Sequence, residues 1–184
     1  MLRLVLAAFA VAASAAAAET TVDNPSYDSW AKHKVGAVLV FTETRHLAGM
    51  KVESTREHTL KSIKDSEIRV ESRHFSGGIE TKEYRTEYPV FRKRTLPDKA
   101  GKDAAWAPDS KCVASGTEKL KIGAKTYDTK KFKKTEKDFG AETITTYWIT
   151  SEAPGLRVKE ETEEKVQGKF QKTKTLLFKE LKTP

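Results

Sequence analysis

The chain has 184 residues, with 34 Lys and Arg against 26 Asp and Glu, a formal charge of +8 and a single cysteine. Hydrophobic residues make up 38% of it, and 16 of them fall in the first eighteen positions, so the remainder is more polar still. These counts exclude a collagen, a coiled coil, a bundle of membrane spans and a disulfide-stapled mini-domain, and they leave one domain with a modest core.

Arg3 followed by the apolar run from Leu4 to Ala18 has the charged start, greasy middle and small-residue end of a secretory signal peptide covering residues 1–18. The run is too short and too rich in alanine to cross the ~30 Å hydrocarbon layer of a bilayer. Glu19 is then the expected mature N-terminus, and residues 19–184 are expected as a single exported domain. That domain would be soluble in the bacterial periplasm or outside the cell, with no membrane-spanning segment.

Asn24 as N-cap and Pro25 at the first helical position predict a short helix to about Lys34, with Tyr27, Trp30 and Ala31 on one face. From Gly36 onward, Thr, Val, Ile and aromatic residues alternate with charges between turn signals. Strands are predicted over 36–46, 51–61, 67–75, 79–88, 114–122, 125–136, 141–150, 156–166 and 169–181. The turns fall at Ala48-Gly49, Lys64-Asp65, Gly77-Gly78, Gly123-Ala124, Phe139-Gly140, Pro154-Gly155 and Gln167-Gly168. The pattern predicts an all-β fold with a short N-terminal helix. Its form is a strongly curved antiparallel meander, a half-barrel or an incompletely closed barrel, because ~35 Å strands curl as they twist. Val38, Val40, Val52, Leu60, Ile68, Val70, Ile144, Trp148, Leu156, Val158, Val166, Leu176 and Phe178 are the predicted inward positions. They are too few to fill a dry two-sheet sandwich.

An irregular insertion at about 89–111 interrupts the pattern with three prolines, Gly101, the basic start Phe91-Arg92-Lys93-Arg94 and an isolated Trp106. Segments of that length serve as functional lids or as solvated linkers, and both readings stand here.

The chemistry is sparse. Four histidines suggest a metal site, but the predicted register places His46 opposite Met50 and His58 opposite Val38. On the next ladder His58 faces Val70 and His74 faces Ser54, so no two imidazoles meet and no metal or cofactor is expected. Ser29-Trp30-Ala31-Lys32 matches a Ser-x-x-Lys spacing at the frequency chance gives, without the partner sequences of a serine hydrolase. Glycine-rich phosphate loops, nucleophile elbows and His-Glu-x-x-His are all absent from the sequence. No catalytic residue is assigned. Cys112 cannot form an internal disulfide and reads as a small buried hydrophobe. The basic run Lys130, Lys131, Phe132, Lys133, Lys134 is the densest positive stretch, although strand alternation divides it between two faces. Lys outnumbers Arg 25 to 9, the opposite of what bidentate phosphate recognition favours, and no specific nucleic-acid partner is expected of an exported chain.

At Asn24-Pro25-x4-Trp30 followed by Val35-Gly36, and again from Tyr147 through Pro154-Gly155 to Val158, the chain resembles a largely uncharacterised family of exported bacterial β-sheet proteins. Its layout is also similar to the lipoprotein-carrier and lipoprotein-sorting superfamily, whose half-barrels hold acyl chains in a concave apolar face. That second resemblance implies carriage of a lipid or other amphiphile and supplies no catalytic residues. Two expectations follow. In the first, a non-enzymatic domain binds a hydrophobic or amphiphilic ligand, with Trp106, Trp148, Val158, Leu176 and Phe178 as its contacts. In the second, an envelope-surface protein holds an acidic polymer through Lys130, Lys131, Lys133 and Lys134.

Overall fold

The computed structural model describes residues 19–47, 49–96, 100–101, 103–138 and 141–184. The expected signal segment 1–18, Ala48 of the first turn, Phe139-Gly140 and parts of the 89–111 insertion lie outside the described residues.

Strand accounts for 67% of the described residues, about three times the ordinary share, and the fold is all-β. After the short strand β1 (Thr20–Asp23) comes helix α1 (Pro25–Ala31), then β2 (Val38–Leu47), β3 (Met50–Ile63) and β4 (Glu67–Ser76). The two-residue strand β5 (Ile79–Glu80), a 3-10 turn at Lys82–Tyr84, β6 (Thr86–Phe91) and β7 (Lys93–Leu96) follow. A second 3-10 turn at Ala104–Trp106 leads to β8 (Val113–Ile122), β9 (Lys125–Asp138), β10 (Ala141–Ile149), β11 (Arg157–Val166) and β12 (Lys169–Lys182).

Ten of these strands form one antiparallel sheet in the order β5-β4-β3-β2-β12-β11-β10-β9-β8, with β6 also paired to β4. It is two meanders joined where β12 lies against β2. The ends do not meet, so the sheet is an open half-barrel. β1 and β7 make a separate two-stranded ribbon, Thr20 opposite Leu96 through Asp23 opposite Lys93.

The helix starts as the sequence predicts. Asn24 Oδ1 accepts the Ser26 N–H at 3.1 Å, and Pro25 occupies the position where a missing N–H costs nothing. The same Asn24 donates its side-chain amide to Phe91 O and its backbone N–H to Arg92 O, both at 2.8 Å, which ties the helix to the β6–β7 junction. Tyr27 and Trp30 are buried as predicted, but Ala31 is exposed and Ser29 takes its place inside. The helix is also shorter than predicted, ending at Ala31 rather than Lys34.

Two strand predictions need correction. The 79–88 strand is not continuous: β5 holds Phe75 and Ser76, the 3-10 turn breaks away, and β6 returns to pair along Glu67–Ser72. Much of the predicted irregular segment is therefore ordered as β6, β7 and the 3-10 turn around Trp106. Pro89 is tolerated in β6 because that strand is paired only to β4. The second correction concerns register. Leu47 closes against Met50, so His46 faces Lys51 and His58 faces Leu39; on the other ladder His58 faces Ser72 and His74 faces Arg56. The two-residue turn is one residue tighter than the predicted pairing required, and β3 runs two residues further, to Ile63, with a bulge between Leu60 and Ser62.

That slip moves the inward set on β2. The core takes Ala37, Leu39 and Phe41 with Leu60, Ile68, Val70, Trp148, Val158, Leu176 and Phe178, under Tyr27 and Trp30 of the helix. Val40 is buried as well, whereas Val52 is exposed and Val38 and Ile144 are half-buried. A smaller cluster joins Ala107, Phe132, Ile149 and Leu156, with Trp106, Cys112 and Tyr147 packed on it.

Candidate functional site

The covered face of the sheet can be followed residue by residue, since directly opposed side chains on an antiparallel ladder project to one side. Phe132, Tyr147, Glu160, Leu176, Glu43, Ser54 and Ser76 are successive partners from β9 to β4. Two residues along each strand, on the same face, Phe178 faces Phe41, Phe41 faces Arg56 and Arg56 faces His74.

Between this face and the covering elements lies a cleft of about 540 Å³, inside the ~300–1,000 Å³ range of small-molecule sites. Its sheet wall is Leu39, Phe41, His58, Ile149, Leu156 and Arg157, and Trp30 contributes from the helix. Its other wall comes from β6, β7 and the residues around Trp106, a strap across the sheet. Arg94 staples that strap, its Nη1 donating to Ala105 O at 3.0 Å and Ala107 O at 2.7 Å. Lys130 pins it to β9 by a 2.5 Å bond to Asp103, with the ammonium 4.9 Å from the Trp106 ring centre.

The turn that feeds the cleft is tightly built. Gly155 has φ +65°, and a Cβ there would stand 2.9 Å from Trp30 Nε1. Its N–H donates to Ser29 Oγ at 2.9 Å, and Ser29 in turn donates to Ser26 O at 2.8 Å. The Ser29 hydroxyl is thus occupied in joining helix to turn, and Lys32 is exposed. Leu156 follows with φ +67°, uncommon for a bulky side chain, and is buried among Ala107, Phe132 and Ile149.

A line of edge-to-face rings crosses the floor. His58 lies 6.1 Å from Tyr88 and 5.4 Å from Phe41, Phe41 lies 6.2 Å from Phe178, and Phe178 lies 6.1 Å from Tyr127. Burial, reinforced by the charges of Arg157 and Arg56, pushes the His58 imidazole down to about 3, so it is neutral at ordinary pH.

Beside the aromatic floor the face turns ionic. Glu43 is fully buried, with Arg45 Nε at 2.5 Å and Arg56 Nη2 at 2.6 Å. Glu160, also buried, is held by Arg157 Nη1 and Lys174 Nζ, each at 2.5 Å. Burial pushes both carboxyls up, but the neighbouring cations outweigh it and hold each below the usual carboxylate range.

Of the five predicted contact residues, Trp148, Val158, Leu176 and Phe178 share the main core, and Trp106 lies apart from them. Trp106 lines the cleft. Trp148 is buried with its Nε1 donating to Glu118 at 3.1 Å, beneath the ammonium groups of Lys159 and Lys131 at 4.2 and 5.3 Å from its ring. Among the predicted lysines, Lys130 pairs with Asp103, Lys131 with Glu118, and Lys134 with Asp109 and Glu136, while Lys133 is exposed. Cys112 is half-buried, and burial pushes its thiol up to about 11. Among the described residues no group of three or more His, Cys, Asp or Glu is placed to hold a metal ion. No helix among them is long and apolar enough to cross a membrane.

Sequence reasoning missed Leu39, Phe41, His58, Arg94 and Arg157 as cleft residues. The alternation in β2 contained the signal for Leu39 and Phe41 once register was fixed. Arg94 and Arg157 carried none, because only the fold brings β7 and β11 to one cleft.

In kind this is an open antiparallel half-barrel holding a partly aromatic, partly cationic cleft under a strap. No family model matches the chain, and no curated protein matches it. Among solved structures it is similar to MucB in complex with MucA(peri), at a TM-score of 0.43 and 16% identity over 86% of this chain and 54% of that one. MucB alone gives 0.42 and 15% over 86% and 57%. A Bacteroides fragilis protein with a YmcC-like fold gives 0.45 and 8% over 82% and 97%. The chain spans little more than half the length of MucB.

Proposed function

We propose that this chain is an exported, non-enzymatic binding protein that receives a hydrophobic or amphiphilic ligand in the cleft between the half-barrel and its strap. The observation that carries the reading is the cleft itself. It is a concavity of about 540 Å³ walled in part by Trp30, Leu39, Phe41, Trp106, Ile149 and Leu156, beside the main buried cluster. Walls that set these apolar side chains beside Asn24, Ser26, His58, Arg94 and Arg157 suit an amphiphile and do not assemble a nucleophile, a base and an electrophilic donor set. Export rests on the leader pattern of residues 1–18.

The alternative, capture of an acidic polymer by Lys130, Lys131, Lys133 and Lys134, has weaker support, because three of those four ammonium groups already face carboxylates. Titration with a fluorescent acyl probe at low and moderate salt separates the two readings. Binding that survives salt and is lost in Trp106→Ala, with the circular dichroism unchanged, is expected. An unaltered affinity in Trp106→Ala, or retention of a polyanion alone and only at low salt, would overturn the cleft reading.

A further inference from the structure

The charges that the described residues bring to the cleft are all of one sign. Among the described residues, Lys93, Arg94 and Arg157 reach its surface and no Asp or Glu does. Lys93 and Arg157 are answered from outside the lining, by Asp23 at 2.7 Å and Glu160 at 2.5 Å. Arg94 is different. It is half-buried, its Nη1 is spent on the two strap carbonyls, and its remaining donors make no hydrogen bond to another described residue. It also forms no ion pair with a carboxylate among the described residues. A half-buried guanidinium with donors left over and no paired carboxylate among the described residues can give a bound anion charge-assisted hydrogen bonds.

Arg157 is positioned to share itself. Its Glu160 partner is held independently by Lys174 at 2.5 Å, so engagement of Arg157 elsewhere leaves no orphaned carboxylate. The ionic patch behind it has the same bias, with Arg45, Arg56, Arg157 and Lys174 set against Glu43 and Glu160. The other titratable groups on this floor are His58 and Tyr88, whose Nδ1 and hydroxyl lie 2.9 Å apart and which bring no negative charge. His74, further along the same face, bonds Ser54 Oγ at 3.0 Å.

Resting on the reading of the cleft as an amphiphile site, we propose that the ligand is a single-chain amphiphile with an anionic head. The head is received by Arg94 of the strap and Arg157 of the sheet, and the chain lies against Leu39, Phe41, Trp106 and Leu156. Charge-assisted bonds from two arginines then set the preference among ligands of equal apolar content.

The test compares four ligands with one tail on the full exported chain: dodecanoate, dodecyl phosphate, dodecanol and dodecyltrimethylammonium, read by calorimetry and tryptophan fluorescence. Dodecanoate and dodecyl phosphate are expected to bind about tenfold or more tightly than dodecanol, with the cationic ligand weakest. The order of the two anions shows whether a carboxylate or a phosphate is the better head. Arg157→Gln is expected to weaken dodecanoate about tenfold while leaving dodecanol unchanged, and Arg94→Gln to weaken dodecanoate by at least as much while also weakening dodecanol, because it loosens the strap. Arg157→Gln leaves the strap staple intact, so its effect separates loss of charge from loosening of the strap. Equal binding of dodecanol and dodecanoate, or an anion preference that both variants retain, would overturn the anionic-head proposal and leave the cleft as a plain apolar site. Failure of all four ligands to bind would instead overturn the amphiphile reading on which it rests.

Discussion

His58 Nδ1 and the Tyr88 hydroxyl lie 2.9 Å apart, joining β3 to β6 across the floor of the cleft although β4 runs between those strands. The pair is made with a neutral imidazole, because burial and the nearby guanidiniums push His58 down to about 3. Its folded value lies below the unfolded value of ~6.5, so the contribution is complete above pH ~6.5 and is lost as pH falls toward 3. Thermal melts are expected to drop through pH 6 to 4, before the carboxylates of Glu43 and Glu160 titrate. His58→Phe is expected to flatten that limb, and a wild-type melt constant from pH 7 to 4 would contradict the assignment.

Glu43 has no exposure and two arginines, so removing its carboxylate strands charge on a half-buried face. Glu43→Ala is expected to cost about 3 kcal/mol, the low end for breaking a buried pair since Arg45 and Arg56 keep some contact with water. Urea denaturation measures it; a loss below 1 kcal/mol would show that the face is wetter than its burial implies.

Gly155 leaves no room for a methyl group against Trp30 Nε1 and holds a left-handed φ. Gly155→Ala is expected to cost about 1–3 kcal/mol by displaced packing and backbone strain together. The emission of Trp30 should shift to the red as the helix is lifted. Gly49, also at positive φ but with nothing within 4 Å, is the control: Gly49→Ala should carry the strain alone and leave the tryptophan emission in place.

The strap is held from both ends by different chemistry. Lys130→Gln removes the exposed-side pair with Asp103 and the cation over Trp106, and stability should fall by less than about 1 kcal/mol. Hydrogen exchange of residues 103–107 should nonetheless quicken while that of β10 and β11 does not. Equal protection in both proteins would mean that Arg94 alone anchors the strap.

The periodic parts of the fold were readable because β-branched and charged residues alternate between glycine turns. Gly77-Gly78, Gly123-Ala124 and Gln167-Gly168 each close a pair of neighbouring strands. Register was less readable. Residues 38 to 41 of β2 are apolar on both faces, so Val38 and Val40 compete with Leu39 and Phe41 for the inward position, and only pairing with β3 and β12 decides it. The cleft was hardest to read. Trp106 stood out as a lone aromatic in a polar segment, but its neighbours arrive from β2, β7, β10 and β11, and a linear pattern does not encode which distant side chains share one concavity. Trp148, Leu176 and Phe178 looked like contacts for the same reason that they are buried: large apolar residues mark an interior before they mark a ligand site.

The seam between β2 and β12 has a consequence for biogenesis. Within each meander a strand finds its partner next door, but the two meanders meet only through pairing between residues near the start of the sheet and residues near its finish. Each half can gather itself as it emerges, yet neither acquires its full complement of neighbours until the C-terminal strand slots in as a keystone. A chain halted before β12 would present two raw sheet edges at once, which is the state in which chaperones and proteases would meet it.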